Sequence, residues 1–258
     1  MSWKQDRTLL TTSTTLFVIL LTFWSVGFFD LERLAKGIGN SVVFLGEMFP
    51  PNFSILPEVT TALVESLQMA FAGTVLGFTM ALPLGFIASW KLSGRMPSIL
   101  SRLFLGIVRT IPALLWALIF VVMFGLGPLP GTLGLAVYSL GYLGKLYYET
   151  IDSVDPEVVE AVRSTGCSKI QLIRHAYLPE SANSMLSQLF FMFEYNVRAS
   201  SILGFVGAGG VGFYMLGYIQ TFQYQKLMTV IILTLAVVLI IDAVSSKVRS
   251  RHVINSPV

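Results

Sequence analysis

Long apolar runs divided by short charged intervals dominate this chain. Six runs stand out, at roughly residues 9–29, 59–88, 102–126, 130–148, 183–206 and 227–246. Each is near the ~20 residues that a helix needs to cross a hydrocarbon core ~30 Å thick. The pattern predicts an all-α fold, a polytopic membrane helix bundle of six transmembrane helices. It divides into an N-terminal helix with an external segment over 1–58, a core over 59–246 that includes a polar loop at 155–180, and a tail over 247–258. Composition agrees: 54% of residues are hydrophobic, 12% are charged and mean hydropathy is +0.74. A soluble domain carries about a quarter charged residues.

Charge decides which side each loop faces. With a cytoplasmic N-terminus, the inner segments hold Lys4, Arg7, Lys91, Arg95, Arg102, Arg163, Lys169, Arg174, Lys247, Arg249 and Arg251, eleven of 17 basic residues. The outer segments hold only Arg33, Lys36 and Lys226. Both termini are therefore expected inside. The pI near 9.0 then records membrane orientation, and nucleic acid need not be invoked. The first run, with Lys4 and Arg7 before it, also fits a cleaved signal peptide, which would leave five spans.

Inside the runs, polar residues are expensive and informative. Charges at a helix centre cost ~2.5–3.5 kcal/mol on insertion scales. Glu194 and Arg198 stand at i, i+4 with the acid first, the favourable order for a pair on one helix. At ~1.5 Å per residue they lie roughly 17 and 23 Å from the inner end. With Asn196 nearby, and Arg109 and Lys145 in other spans, they form either an architectural pin or a polar stripe for an anionic solute. The second run carries Gly73, Gly77, Ala81, Gly85 and Ser89 at every fourth position. That ladder predicts a seam where another helix backbone approaches closely.

The loop at 155–180 carries the strongest local signals. Asp155 followed by Pro156 reads as an N-cap and first helical residue. Val158, Ala161, Val162 and Thr165 recur with helical spacing. Gly166 suits a left-handed helix end, and Ser168 with Gln171 forms a capping box for a second short helix. Pro179 is expected to stop that helix, with Leu178 extended before it. Acids and bases are mixed across the polar positions, unlike an interfacial helix lying on lipid. A rigid helix pair of this kind is a docking element.

Other chemistries are excluded by spacing. Gly207, Gly209 and Gly212 in "GFVGAGGVGF" match G-x-G-x-x-G. They follow a membrane run, not a strand, and no Asp or Glu occurs between Gly207 and Asp242 to hold a ribose. Gly207, Gly209, Gly210 and Gly212 read better as a tight, mobile break between helices at an outer mouth. No G-x-x-x-x-G-K-[ST] is present; Leu146 follows Gly144-Lys145. The single Cys167 and the distant His175 and His252 offer no metal site or nucleophile pattern.

Glu160-Ala161, then Gly166, then Leu178-Pro179 resembles the EAA loop of ATP-binding-cassette importer permeases: E-A-A, three residues, G, nine residues, I-x-L-P. Val162 stands for the third Ala, and Ala176 for Ile. The runs "RTIPALLWALIFV", "GLGPLPGTLGLAVYSLGYLGKLYYE" and "FEYNVRASSILGFVGAGGVGF" further resemble the phosphonate, phosphite and hypophosphite importer permeases, over about residues 60–246. The resemblance implies a type I importer permease fold in a bacterial cytoplasmic membrane. It implies coupling to an ATPase through Glu160, Ala161, Gly166, Leu178 and Pro179, and a pathway drawn from Arg109, Lys145, Glu194, Asn196 and Arg198. It also implies a second copy of the chain, two cytoplasmic ATPases, and an external binding protein. No cofactor belongs to this chain on that reading; ATP and magnesium belong to the ATPase. A permease for another small solute such as methionine, and an ATP-independent channel, remain the alternatives.

Overall fold

The computed structural model describes residues 3–252. The chain divides into two units between Pro50 and Pro51. In the first, α1 (Trp3–Ser25) is followed by a turn with Gly27 at φ +74° and by α2 (Leu31–Glu47). The apolar runs do not announce α2. It starts where the Asp30 carboxylate accepts from the Arg33 amide at 3.0 Å, satisfying a donor that the first turn leaves unpaired.

The second unit runs through α3 (Leu56–Ala88), α4 (Trp90–Ser93), α5 (Arg95–Thr110), α6 (Ala113–Phe124), α7 (Pro128–Asp152), α8 (Pro156–Arg163), α9 (Lys169–Leu172), α10 (Leu178–Leu203), α11 (Val211–Gln220) and α12 (Tyr224–His252). α7 is its axle. The α3 ladder meets it as the spacing predicts: a Cβ on Gly73 would lie 2.7 Å from Leu135 Cβ, and one on Gly85 2.8 Å from Tyr147 Cβ. Gly77 is held as closely, 2.8 Å from the Ala136 carbonyl. In lipid such contact replaces the hydrophobic effect as the force between helices. The opposite side of α7 uses its own glycines. Gly134 lies against the Ala117 backbone of α6 and Gly144 against Leu105 of α5, with virtual Cβ contacts of 2.7 Å each.

The third expected span is corrected. Residues 102–126 do not form one helix; α5 and α6 meet at 84°. Pro112 is the cause. Its ring drives Ile111 to φ −88°, ψ 120°, and its carbonyl then accepts from Leu115 and Trp116 to begin α6. The Trp116 indole N–H donates back to the Val108 carbonyl at 3.2 Å, stapling the bend.

Among the described residues, α3 and α12 are by themselves long and apolar enough to cross a membrane. Counting each bent pair as one span, α5 with α6 and α10 with α11, raises the number to four, against the six predicted. α7 is the informative shortfall. Neighbours cover much of it, so its sequence is free to carry glycines, Lys145 and Glu149 where a lipid-facing helix would need apolar side chains.

Candidate coupling and translocation sites

α8 is built by local chemistry. The Asp155 carboxylate accepts from the Glu157 amide at 2.8 Å with Pro156 at the first turn. Gly166 takes φ +74° with its amide on the Arg163 carbonyl. Ser168 and Gln171 form the reciprocal capping box, at 3.4 and 2.8 Å. Val159, 5% exposed, is the residue turned inward. Val158, Ala161 and Thr165 of the predicted apolar stripe are exposed, as are Glu160 and Ile170. Val162, the fourth member of the stripe, is half-buried against the core, so three of the four stripe residues face away from this chain.

Two expectations about this loop are corrected. Leu178 is not extended; it is helical at φ −67°, ψ −48°. Nor does Pro179 stop a short second helix, because α9 continues through a π-helical turn, Ile173–Tyr177, into α10. The wider turn is the reason. The Leu178 amide reaches back to the Ile173 carbonyl, and Pro179, which brings no N–H, enters at the first turn of α10 where none is needed. The loop that carries α8 is therefore joined to α10 without a hinge of irregular backbone. Ala176 and Tyr177 point inward, 1% and 2% exposed, while Leu178 is 40% exposed. Lys91, Pro156, Val159, Glu160, Arg163 and Tyr177 line a cleft of about 250 Å³ under α8. Burial raises the Tyr177 phenol above its ordinary pKa, so it remains a neutral hydroxyl there at any physiological pH.

Below α8 lies a cluster that sequence reasoning missed. Arg102 of α5 donates through Nε to the Ala88 carbonyl at 2.8 Å and forms an ion pair with Asp152 at the end of α7. Its guanidinium carbon lies 4.4 Å from the Trp90 ring centroid and 4.2 Å from that of Tyr148. Ser89 Oγ donates to the other Asp152 oxygen at 2.5 Å, and Lys91 Nζ to the Val154 carbonyl at 2.6 Å. Ser98, fully buried, donates to the Ser89 carbonyl at 2.9 Å. The unpaired carbonyls at the end of α3 are thus satisfied by side chains from α5.

The proposed pathway residues do not gather on one face. Glu194 and Arg198 are not partners of each other: Glu194 pairs with Arg249 at 3.2 Å and Arg198 with Asp242 at 3.9 Å, both on α12. The helix offers a reason, since both residues face α12 and its opposite charges lie closer than the turn above. Asn196 points the other way. It is fully buried, and its amide donates to Thr74 Oγ1 of α3 and Ser139 Oγ of α7 at 2.8 Å each, tying three helices together. Lys145 pairs with Glu149 on its own helix at 3.2 Å. Arg109 closes α5 at the bend, where its backbone packs against Gly141 of α7. What does form a continuous face is aromatic. Tyr138 stacks on Tyr195 at 5.2 Å and on Tyr142 at 6.2 Å, and Tyr142 on Phe191 at 6.5 Å. Lys145 continues that face of α7, one turn beyond Tyr142.

The glycine break is tight and largely buried rather than a surface turn. Gly207, Gly209 and Gly210 have φ of +84°, +76° and +68°. Gly204 and Gly212 bring their backbones together, and a Cβ on either would enter backbone atoms of the other's neighbours. Glu65 Oε1 accepts from the Gly210 amide at 3.1 Å, and Ser66 Oγ from the Val211 amide at 2.9 Å. The Gly127 amide donates to the Gly207 carbonyl at 3.0 Å. Glu65 is the residue missed here; as an acid in an apolar run it was the available signal.

Comparison with known proteins places this geometry. The family profile described as "Binding-protein-dependent transport system inner membrane component" matches residues 81–250. The phosphite transport system permease protein PtxC of Stutzerimonas stutzeri is 36% identical over 236 residues, 91% of this chain and 86% of that protein. The phosphate-import permease protein PhnE of Mycolicibacterium smegmatis is 35% identical over 216 residues, 83% of this chain and 40% of that longer protein. The fold is that of a chain of the MetNI methionine ABC transporter, solved in inward-facing conformations. The TM-score is 0.67 at 20% identity, over 78% of this chain and 98% of that one.

Proposed function

The chain belongs to the family of binding-protein-dependent transport system inner membrane components, and from that premise we propose how it works and what it carries. It is the permease subunit of an ATP-binding-cassette importer, a system that works with an ATPase and a solute-binding protein. The exposed, locally capped face of α8, with Val158 and Ala161 outward, carries the reading: it is the surface that an ATPase groove receives. Six spans per chain, both termini cytoplasmic, and two copies enclosing one pathway with two ATPases complete the assembly. An external binding protein delivers the solute at the face of the glycine break, which acts as the outer gate through Gly207, Gly209, Gly210 and Gly212.

The solute is a small phosphorus oxyanion, phosphite or a phosphonate. Relatives named for phosphite and phosphonate transport support this, and so does the chemistry of the partly open face between α7 and α10. Arg109 and Lys145 stand beside its stacked tyrosines, and a guanidinium suits a compact oxyanion by its planar fork of donors. The α8 face moves with the ATPase, and the bundle alternates access around that path.

The test is reconstitution of the chain with its partner ATPase and binding protein. Phosphite or methylphosphonate uptake, dependent on ATP and on the binding protein, is the expected result. Uptake of methionine in their place overturns the substrate, and flux through the chain alone without ATP overturns the mechanism.

A further inference from the structure

We propose that Arg102 is a positioning residue that makes α8, α7 and the end of α3 move as one body, so that motion received at the inner surface reaches the bundle undiminished. The proposal rests on the reading of α8 as the docking element. Only three residues, Ser153 to Asp155, separate the last residue of α7 from α8. That last residue, Asp152, has both carboxylate oxygens held, one by Arg102 and one by Ser89. Lys91 holds the Val154 carbonyl inside the connection itself. Arg102 in turn grips the Ala88 carbonyl and is sandwiched between Trp90 and Tyr148. One side chain therefore bridges the ends of α3 and α7 from a third helix, α5.

The geometry is that of a joint, not of a solvated surface pair. Arg102 and Asp152 side chains are 23% and 21% exposed, and the guanidinium has an aromatic ring on each side. Such a group has few alternative positions, because leaving the site abandons two charge-assisted bonds and both ring contacts at once. Lysine is no substitute: a single ammonium cannot hold a backbone carbonyl and a carboxylate in one plane while lying between two rings. Without the bridge, the connection between α7 and α8 retains Lys91 and the chain itself, and α8 gains freedom relative to α3.

The experiment uses the complete transporter in proteoliposomes, with phosphite as the probe. Two quantities are read: phosphite taken up per ATP hydrolysed, and crosslinking of a cysteine at Val158 to the ATPase. For Arg102→Gln the expected result is crosslinking and basal hydrolysis within about twofold of wild type, with uptake per ATP falling roughly tenfold, the upper range for coupling substitutions. Arg102→Lys falls between, and Ser89→Ala, which removes only one hydroxyl from Asp152, lowers the ratio about twofold. If Arg102→Gln does not assemble, Ser89→Ala and Lys91→Met carry the test, and an unchanged ratio in both overturns the proposal. An unchanged ratio in an assembled Arg102→Gln transporter, or uptake and hydrolysis falling in proportion, overturns it as well. A wild-type transporter in which the Val158 cysteine never reaches the ATPase overturns the docking reading, and this proposal with it. Should phosphite not be carried, the ratio becomes binding-protein-stimulated over basal hydrolysis: a fall in Arg102→Gln supports the joint, and an unchanged value overturns it.

Discussion

Two glycine-marked breaks face each other across the function of this protein, one at Gly166 in the α8 loop and one from Gly204 to Gly212 between α10 and α11. Both use positive φ, but their surroundings are opposite. Around Gly166 nothing lies within 4 Å of where a Cβ would stand, and the hydrogen bonds of the Asp155 cap, the Gly166 turn and the Ser168–Gln171 box each join residues within a few positions of each other. Around the second break, side chains from α3 and a backbone amide from the turn before α7 supply the bonds, across 145 positions in the case of Glu65. The α8 loop is finished by its own neighbours and left open, as the proposed docking element requires. The second break is finished by the rest of the bundle, as the proposed outer gate requires.

The largest effect expected from breaking this contrast is at Gly212. Gly212→Ala would push a methyl group into the Ser201 carbonyl and against Gly204. Overpacking of this kind costs about 1–3 kcal/mol or more, and with backbone on both sides nothing can rotate away. Purified protein should show a thermal unfolding midpoint well below wild type or fail to accumulate; an unshifted midpoint would mean that the two backbones can separate freely.

Glu65→Ala comes next, leaving the Gly210 amide without its acceptor at a cost of about 1–3 kcal/mol. Glu65→Gln, which keeps an acceptor, should recover most of that in the same unfolding assay. In the α8 loop, Gly166→Asp strains only φ, a cost of about 1–2 kcal/mol, so the protein should insert and assemble. Because the strain displaces the end of α8 and adds a charge there, binding-protein-stimulated hydrolysis should be lost. Normal stimulation in that variant would separate α8 from coupling.

Smaller still is Ser168→Ala, which removes half of the capping box for about 1 kcal/mol and should leave uptake nearly normal at reduced heat tolerance. Least for stability is Arg198→Leu. Its pair with Asp242 is 3.9 Å long and about half exposed on both sides, and pairs of that kind contribute about 0–1 kcal/mol. Assembled, heat-stable protein with lost uptake would make Arg198 a pathway residue; normal uptake would leave it a tie to α12.

The same contrast explains how much was legible in the residues. The Asp155 cap, the Gly166 turn and the Ser168–Gln171 box were readable because each is settled between neighbours in the chain, with the chemistry of both partners in view. The α3 ladder was readable too from Gly73 to Gly85, since four small residues in register describe one helix face without naming what lies against it, while the fifth, Ser89, falls just past the end of the helix. The bend at Pro112 was available in "TIPALL" but was hidden by the apolar run around it. Leu178 misled for a related reason: the rule that a residue before proline is extended assumes ordinary α-helical register, and the π-helical turn changes the register.

What the amino-acid order determined alone is the helical class, the membrane environment, and the caps and glycine turn of the α8 loop, all of which depend on composition, period and contacts a few residues long. What only the tertiary structure decided is which polar groups meet: Arg102 with Asp152, Asn196 with Thr74 and Ser139, Glu194 with Arg249, Glu65 with the glycine break. The physical reason is that a polar group in an apolar bundle must find a partner. Several candidates of the right kind lie far along the chain, and only the packing of the helices selects which of them comes within reach.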